Sequence, residues 1–213
     1  MIKKFLKEVI QLPKKLFAQP LIMHQRHDSY DSYLEKQKEK TTDPEKIKKW
    51  LGDEWEEKLD GFRKLFERNL EYVELANNCI CLGARTGQEV AALQELKKRA
   101  IGIDLVEFEP YTIKGDIHNL EFKNGEFDLV FTNIFDHSLY PDKFISEMER
   151  VCATDGFIIV NLQLYTEGDD YSENVINDPN EVIKLFSSSA VVKSRKIINT
   201  FDGMNWEVVV KKN

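Results

Sequence analysis

Cysteine is scarce in this chain of 213 residues: only Cys79, Cys81 and Cys152 occur. Three is too few, and too odd a number, for a disulfide framework. Cys79 and Cys81 fall on one face of any strand that holds them, too close in sequence to pair comfortably. A reduced, cytoplasmic setting is the expectation. Long apolar runs are also missing. No stretch of about 18 apolar residues occurs, so no membrane-spanning helix is expected. The start, Met1-Ile2-Lys3-Lys4, is basic, but Lys7, Glu8 and Gln11 interrupt the apolar core that a secretory signal needs. Positive charge is not in excess, since the net charge is −7. That argues against a general nucleic-acid binder, which would show a basic field.

What is present is a globular composition, with 42% hydrophobic and 31% charged residues. A chain of this length buries most of its apolar surface without a metal or disulfide staple. Charge divides it unevenly. Residues 1–78 carry 16 Lys/Arg and 15 Asp/Glu, whereas residues 79–213 carry 14 and 22. The pattern changes at the same place, from Lys- and Glu-rich helical periodicity to short β-rich runs alternating with helices. A helical N-terminal segment over 1–76, serving as a lid or cap, and an α/β domain over 77–213 are therefore expected.

In the first 20 residues, Ile2, Phe5, Leu6, Val9, Ile10, Leu12, Leu16 and Phe17 form a stripe at helical spacing, broken at Pro13. Such a basic amphipathic piece packs on its own domain or in an oligomer. Contact with an anionic membrane is the less favoured reading. The stretch from His24 to Tyr33 is dense in polar and aromatic groups, which read as surface decoration or as substrate contacts. His24 and His27 have no accompanying cysteine or carboxylate set, so no metal site is expected. Asp43 as cap and Pro44 at the first position predict a helix start, with apolar spacing running on to about Leu75 and Gly52 and Gly61 as bends.

Beyond Asn78 the runs 79–82, 100–104, 111–114, 127–132 and 156–162 read as strands. Helices are expected over 88–99, from Pro141 to about Val151, and after the cap Asp178, with Glu181 placed to reach back. This alternation demands a mostly parallel sheet covered on both faces. The strands expected over 190–199 and 205–212 are joined around Asp202-Gly203, a pair that favours hairpin turns, so they must run antiparallel.

Open α/β sheets bind ligands beyond the carboxyl ends of their strands. The first expected strand is followed by Gly83-Ala84-Arg85-Thr86-Gly87, whose glycines permit a sharp turn and a close backbone approach to a ligand. The second ends on Asp104, followed by Leu105. An acid about 20 residues beyond such a turn is placed to hold ribose hydroxyls. The third is followed by Gly115-Asp116-Ile117, and the fourth by Asn133-Ile134-Phe135-Asp136-His137. Together these indicate a nucleoside-containing ligand. The dinucleotide fingerprint fails at Arg85 and Gln88, and the phosphate-binding loop fails at Gln88-Glu89.

The runs Cys81-Leu82-Gly83-Ala84-Arg85-Thr86-Gly87, Gly102-Ile103-Asp104, Gly115-Asp116-Ile117 and Phe127-Asp128-Leu129-Val130-Phe131 resemble the class I S-adenosylmethionine-dependent methyltransferases. The small type 11 methyltransferase domains are the nearest likeness. The resemblance covers about residues 77–165 by motif. It implies a Rossmann-like doubly wound sheet of seven strands, order 3-2-1-4-5-7-6 with strand 7 antiparallel, behind the N-terminal helical segment. It implies S-adenosylmethionine as cofactor. Gly83, Ala84, Arg85, Thr86 and Gly87 would surround its methionine part, Asp104 and Leu105 its ribose, and Gly115, Asp116 and Ile117 its adenine. Asn133 and Phe135 would line the reacting centre.

Two positions depart from that pattern. Cys81 stands where the family has an acid, and Arg85 where it has glycine. Arg85 is expected to pair with the cofactor's carboxylate. In-line methyl transfer needs alignment above all, and a base only if the acceptor must lose a proton. Asp136 and His137 are the candidates for that work, since imidazole titrates near neutral pH. Asn133 is not followed by two prolines, which argues against a nucleobase or amide-nitrogen acceptor. The expected acceptor is a small molecule, sugar or lipid-linked group. A non-catalytic scaffold of the same fold is the alternative, and a nucleotide-sugar or nicotinamide enzyme is disfavoured by the failed glycines.

Overall fold

The computed structural model describes residues 22–23, 27–198 and 203–213. The stripe over 1–20, His24 and Asp202 lie outside the described residues. A short strand β1 (Ile22–Met23) precedes four helices, α1 (Tyr30–Thr42), α2 (Pro44–Leu51), α3 (Trp55–Arg68) and α4 (Leu70–Val73). Ser29 caps α1 by accepting from Ser32 N, and the Ser32 hydroxyl accepts from Ser29 N in return. Asp43 caps α2 by accepting from Glu45 N and Lys46 N. The expected run to Leu75 is divided. Gly52 ends α2, and a Cβ there would lie 2.8 Å from the Lys48 carbonyl oxygen. Gly61 sits inside α3 without breaking it.

The α/β part follows in chain order: β2 (Asn78–Leu82), α5 (Gln88–Glu95), β3 (Arg99–Asp104), β4 (Thr112–Lys114), β5 (Phe127–Thr132), α6 (Pro141–Val151), β6 (Cys152–Leu162), β7 (Asn174–Val175), α7 (Pro179–Ile183), β8 (Ser189–Lys196) and β9 (Trp206–Lys212). Seven strands form one sheet in the order β4-β3-β2-β5-β6-β9-β8. Pairing is parallel from β4 to β6, and β9 runs antiparallel to both β6 and β8. With the short β1 and β7 set aside, this is the expected order. β1 and β7 pair antiparallel with each other.

Three expectations need correction. The helix expected to reach Arg99 stops at Glu95, because Lys97 takes a left-handed φ of 63° and Arg99 already pairs in β3. The strand expected over 190–199 ends at Lys196. The ladder closes at Lys196↔Trp206 and Ile197 N bonds Asn205 O, so the connection spans 197–205. Glu181 reaches back not to the cap but to the N–H of Asn177.

Alternation along the strands sorts two cores. Ile80, Leu82, Val130, Ile158 and Val208 pack with Phe144, Ile145 and Met148 of α6. Cys79, Cys81, Leu129, Phe131 and Ile159 pack on the other face with Phe62 and Phe66 of α3 and Val90 and Leu93 of α5. A fully buried side chain of this size contributes about 1.5–3 kcal/mol. The helical segment is also tied to the far sheet edge through Glu207, which is fully buried. Its carboxylate accepts from Arg68 and Asn69 on one side and from Arg195 on the other. Removing one partner from such a cluster costs about 3–5 kcal/mol.

Candidate active site

The site is built where β2, β3, β4 and β5 end. β2 runs into Gly83, which takes φ 78°, and a Cβ there would lie 2.3 Å from Ile134. The Gly83 and Ala84 amides both donate to the Ile103 carbonyl, drawing the loop onto β3. Gly87, φ 88°, starts α5, and its bare Cα admits Tyr111, which a Cβ would meet at 2.2 Å. Asp104 ends β3 and accepts from Arg85 N at 2.9 Å. Burial pushes its pKa up, against the pull of that amide and of the Arg85 charge.

Two cavities share walls here. The first is a slot of about 70 Å³ beneath α1, lined by Gly83, Arg85, Asp104, Leu105, Gly115, Asp116, Ile117, Ile134 and His137, with Tyr33 and Leu34 from α1. The second measures about 510 Å³ and adds Ala84, Trp50, Glu89, Asn133 and Asp136 to the shared Gly83, Arg85, Ile134 and His137. Eleven of the fourteen expected residues thus come together. Thr86, Gly87 and Phe135 do not. The Thr86 hydroxyl donates to Gln88 Oε1 and lines a separate pocket with Trp55 and Tyr111. Gly87 serves the turn. Phe135 is 1% exposed and stacks on Phe144 in the core, since the short 3₁₀ turn Phe135–His137 points it inward.

His137 and Asp136 are held from behind. His137 Nδ1 lies 2.8 Å from the Tyr171 carbonyl. A carbonyl only accepts, so Nδ1 carries a proton, and in the neutral ring Nε2 keeps its lone pair. Asp136 Oδ2 stands 3.9 Å from that Nε2 and accepts from Ser172 Oγ. Arg85 does not meet a carboxylate within ion-pair distance among the described residues. Its guanidinium lies over Trp50, 4.3 Å from the ring centroid.

Two features were not read from the sequence. His118 is completely buried, with Nδ1 near Tyr30 Oη and Asp116 and Nε2 accepting from Tyr140 N, 2 residues past Asp116 and on no recognised motif. The second is the grip of α1. The Tyr30 hydroxyl donates to Asp116 Oδ2 at 2.6 Å, and its ring stacks on Tyr140. Burial raises the Asp116 pKa, but the bonds from His118 and Tyr30 outweigh it and hold the carboxyl below its ordinary value. On the other side, the Tyr33 hydroxyl donates to the His137 carbonyl, and Gln37 donates to Tyr171 O and Glu173. His27 Nε2 bonds the Glu173 carboxylate.

The family described as a methyltransferase domain matches residues 80–160. Solved structures share the fold. A 1,6-didemethyltoxoflavin N1-methyltransferase from Burkholderia thailandensis, bound to 1,6-didemethyltoxoflavin and S-adenosylhomocysteine, has a TM-score of 0.66 at 12% identity, covering 91% of this chain and 95% of that one. A protein from Pyrococcus horikoshii gives 0.61 at 15% identity, covering 75% and 92%. A SAM-dependent methyltransferase from Methanosarcina mazei gives 0.55 at 12% identity, covering 67% and 95%. The architecture is therefore that of the class I methyltransferases. Residues 80–160 are thus similar to a methyltransferase domain, and the chain shares the fold of solved S-adenosylmethionine-dependent methyltransferases.

Proposed function

We propose that the protein transfers a methyl group from S-adenosylmethionine to a small-molecule acceptor held in the 510 Å³ cavity. The observation that carries this is the shared wall: Gly83, Arg85 and His137 face both the slot at the strand ends and the larger cavity. The residues present suit the cofactor. A carboxylate at the end of β3 already holds one backbone amide, a Cβ-free turn lies beside it, and Arg85, stacked on Trp50, lines the cavity.

The cofactor, when bound, supplies an electrophilic methyl on a sulfonium. Asp104, with Leu105 against it, accepts from the ribose hydroxyls, and Asp116 with Ile117 and Gly115 borders the adenine. Gly83, Ala84 and Arg85 would face the amino-acid part, and Asn133 would face the reacting centre. His137 Nε2 takes a proton from the acceptor, while Tyr171 O fixes the ring's tautomer and Asp136 stabilises the imidazolium. The N-terminal helices α1–α4 cover the domain 77–213, with α1 as lid. The small heterocycle held by the Burkholderia relative supports a small acceptor here.

The test is release of S-adenosylhomocysteine across a panel of small nitrogen and oxygen nucleophiles. With an acceptor found, His137→Ala lowers kcat about 100-fold or more while the dissociation constant for S-adenosylhomocysteine stays within about twofold. Undiminished turnover in that variant removes His137 as the base.

A further inference from the structure

The pocket that Thr86 lines with Trp55 and Tyr111 is separate from both cavities of the candidate active site, and the methyl-transfer reading gives it no work. It measures about 480 Å³, and its other walls include Glu107, Phe108 and Glu109. Three half-buried rings and two exposed carboxylates thus line one concave space.

The rings come from two stretches of chain. Trp55 opens α3, and Phe108 and Tyr111 follow β3. The Trp55 and Tyr111 rings touch, with centroids 5.5 Å apart. Both stretches are acidic: residues 53–57 and 107–111 hold six Asp/Glu and no Lys, Arg or His. Glu54 meets Lys49 and Lys58, and Glu56 meets Arg63, all outside the pocket. Glu107 and Glu109 meet no cation at ion-pair distance among the described residues.

Elsewhere the chain supplies cations to its own aromatic faces. Arg85 lies over Trp50, Lys40 and Lys46 over Tyr171, and Lys193 over Tyr72. Among the described residues, no Lys or Arg lies over Trp55, Phe108 or Tyr111. The face of an aromatic ring is negative and attracts a cation, best one with little hydration to lose. A primary ammonium holds its water and gains little from exposed carboxylates. An alkylated ammonium sheds water readily, packs its methyl groups on the rings and still feels the carboxylate charge.

We propose that this pocket binds a small organic cation, an alkylated ammonium, against Trp55, Phe108 and Tyr111, with Glu107 and Glu109 supplying the opposite charge. The site stands independently of the methyl-transfer reading.

The experiment is titration of the full chain with choline, followed through the Trp55 indole N–H resonance. Two probes separate the parts of its chemistry. The alcohol 3,3-dimethylbutanol has the shape without the charge, and ethanolamine has the charge without the methyl groups. Choline is expected to shift the resonance saturably and to bind about tenfold tighter than either. The double variant Glu107→Gln/Glu109→Gln changes exposed side chains only, and an unaltered Tm shows that it is folded. It is expected to weaken choline about threefold and to leave 3,3-dimethylbutanol unchanged. The proposal is overturned if choline gives no saturable shift, if either control binds as tightly as choline, or if the double variant binds choline as the wild type does.

Discussion

At 4% exposure the Glu89 carboxylate has given up most of its hydration, and that desolvation lifts its pKa from 4.5 to about 8. Arg85 and Lys58 pull it down and Asp104 pushes it up, while Cys81 beneath is neutral, its own thiol driven upward by burial. The folded pKa exceeds the unfolded one. Glu89 therefore favours folding fully below about pH 4.5, and that contribution drains away as pH rises toward about 8, by up to about 1.4 kcal/mol per pH unit. Glu89→Gln lacks the titration, so its unfolding free energy between pH 5 and pH 8 falls less than that of the wild type. Urea denaturation at the two pH values measures this, and parallel curves would refute it. Asp104 and Gly83 were legible in the sequence because they stand at strand ends, where ligands bind. Glu89 was not. It follows Gln88 at a helix start, where an acid ordinarily faces solvent and the helix dipole. His118 was hidden because its partners Tyr30, Ser138 and Tyr140 come from two stretches of chain far from it in sequence.

Helix α1 bridges the mouth of the site, bonded through Tyr30 to Asp116 on one side and through Tyr33 and Gln37 to the His137–Glu173 side on the other. The slot beneath it, about 70 Å³, is far below the roughly 300 Å³ of a small ligand pocket. On the cofactor reading, a nucleoside in this slot would displace α1, and the contact to break is Tyr30 on Asp116. Tyr30→Phe keeps the stack on Tyr140 and removes the hydroxyl. A hydrogen bond to a carboxylate contributes about 1.5–3 kcal/mol, so α1 amides should exchange with solvent about 10- to 100-fold faster in the variant. Unchanged exchange would mean that α1 is held elsewhere. The elements themselves were read with uneven success. β5 and α6 matched their expected limits, one a dense apolar run and the other opened by Pro141. α5 ended early because Lys97 adopts a conformation that its residue type does not announce. The grip of α1 had no local signature, because its tyrosines read equally well as surface decoration.

Across the whole molecule, the alternation of strands and helices pointed to a mostly parallel sheet with an antiparallel end, and the resemblance to the class I methyltransferases implied its seven-stranded order. The chemistry of the site followed from which residues that order brings to one edge. What the alternation left open was how the N-terminal helices close over the edge, since packing between distant segments decides that. The central claim is that this edge holds S-adenosylmethionine. Thermal unfolding with S-adenosylmethionine, S-adenosylhomocysteine, NAD and NADP tests it most directly. Ligand at 100 times its dissociation constant stabilises by about 2.7 kcal/mol, which for a domain of this size raises Tm by about 5–10 °C. The account predicts that shift with the first two ligands and none with NAD or NADP. A shift with the nicotinamides alone, or with none of the four, would contradict it.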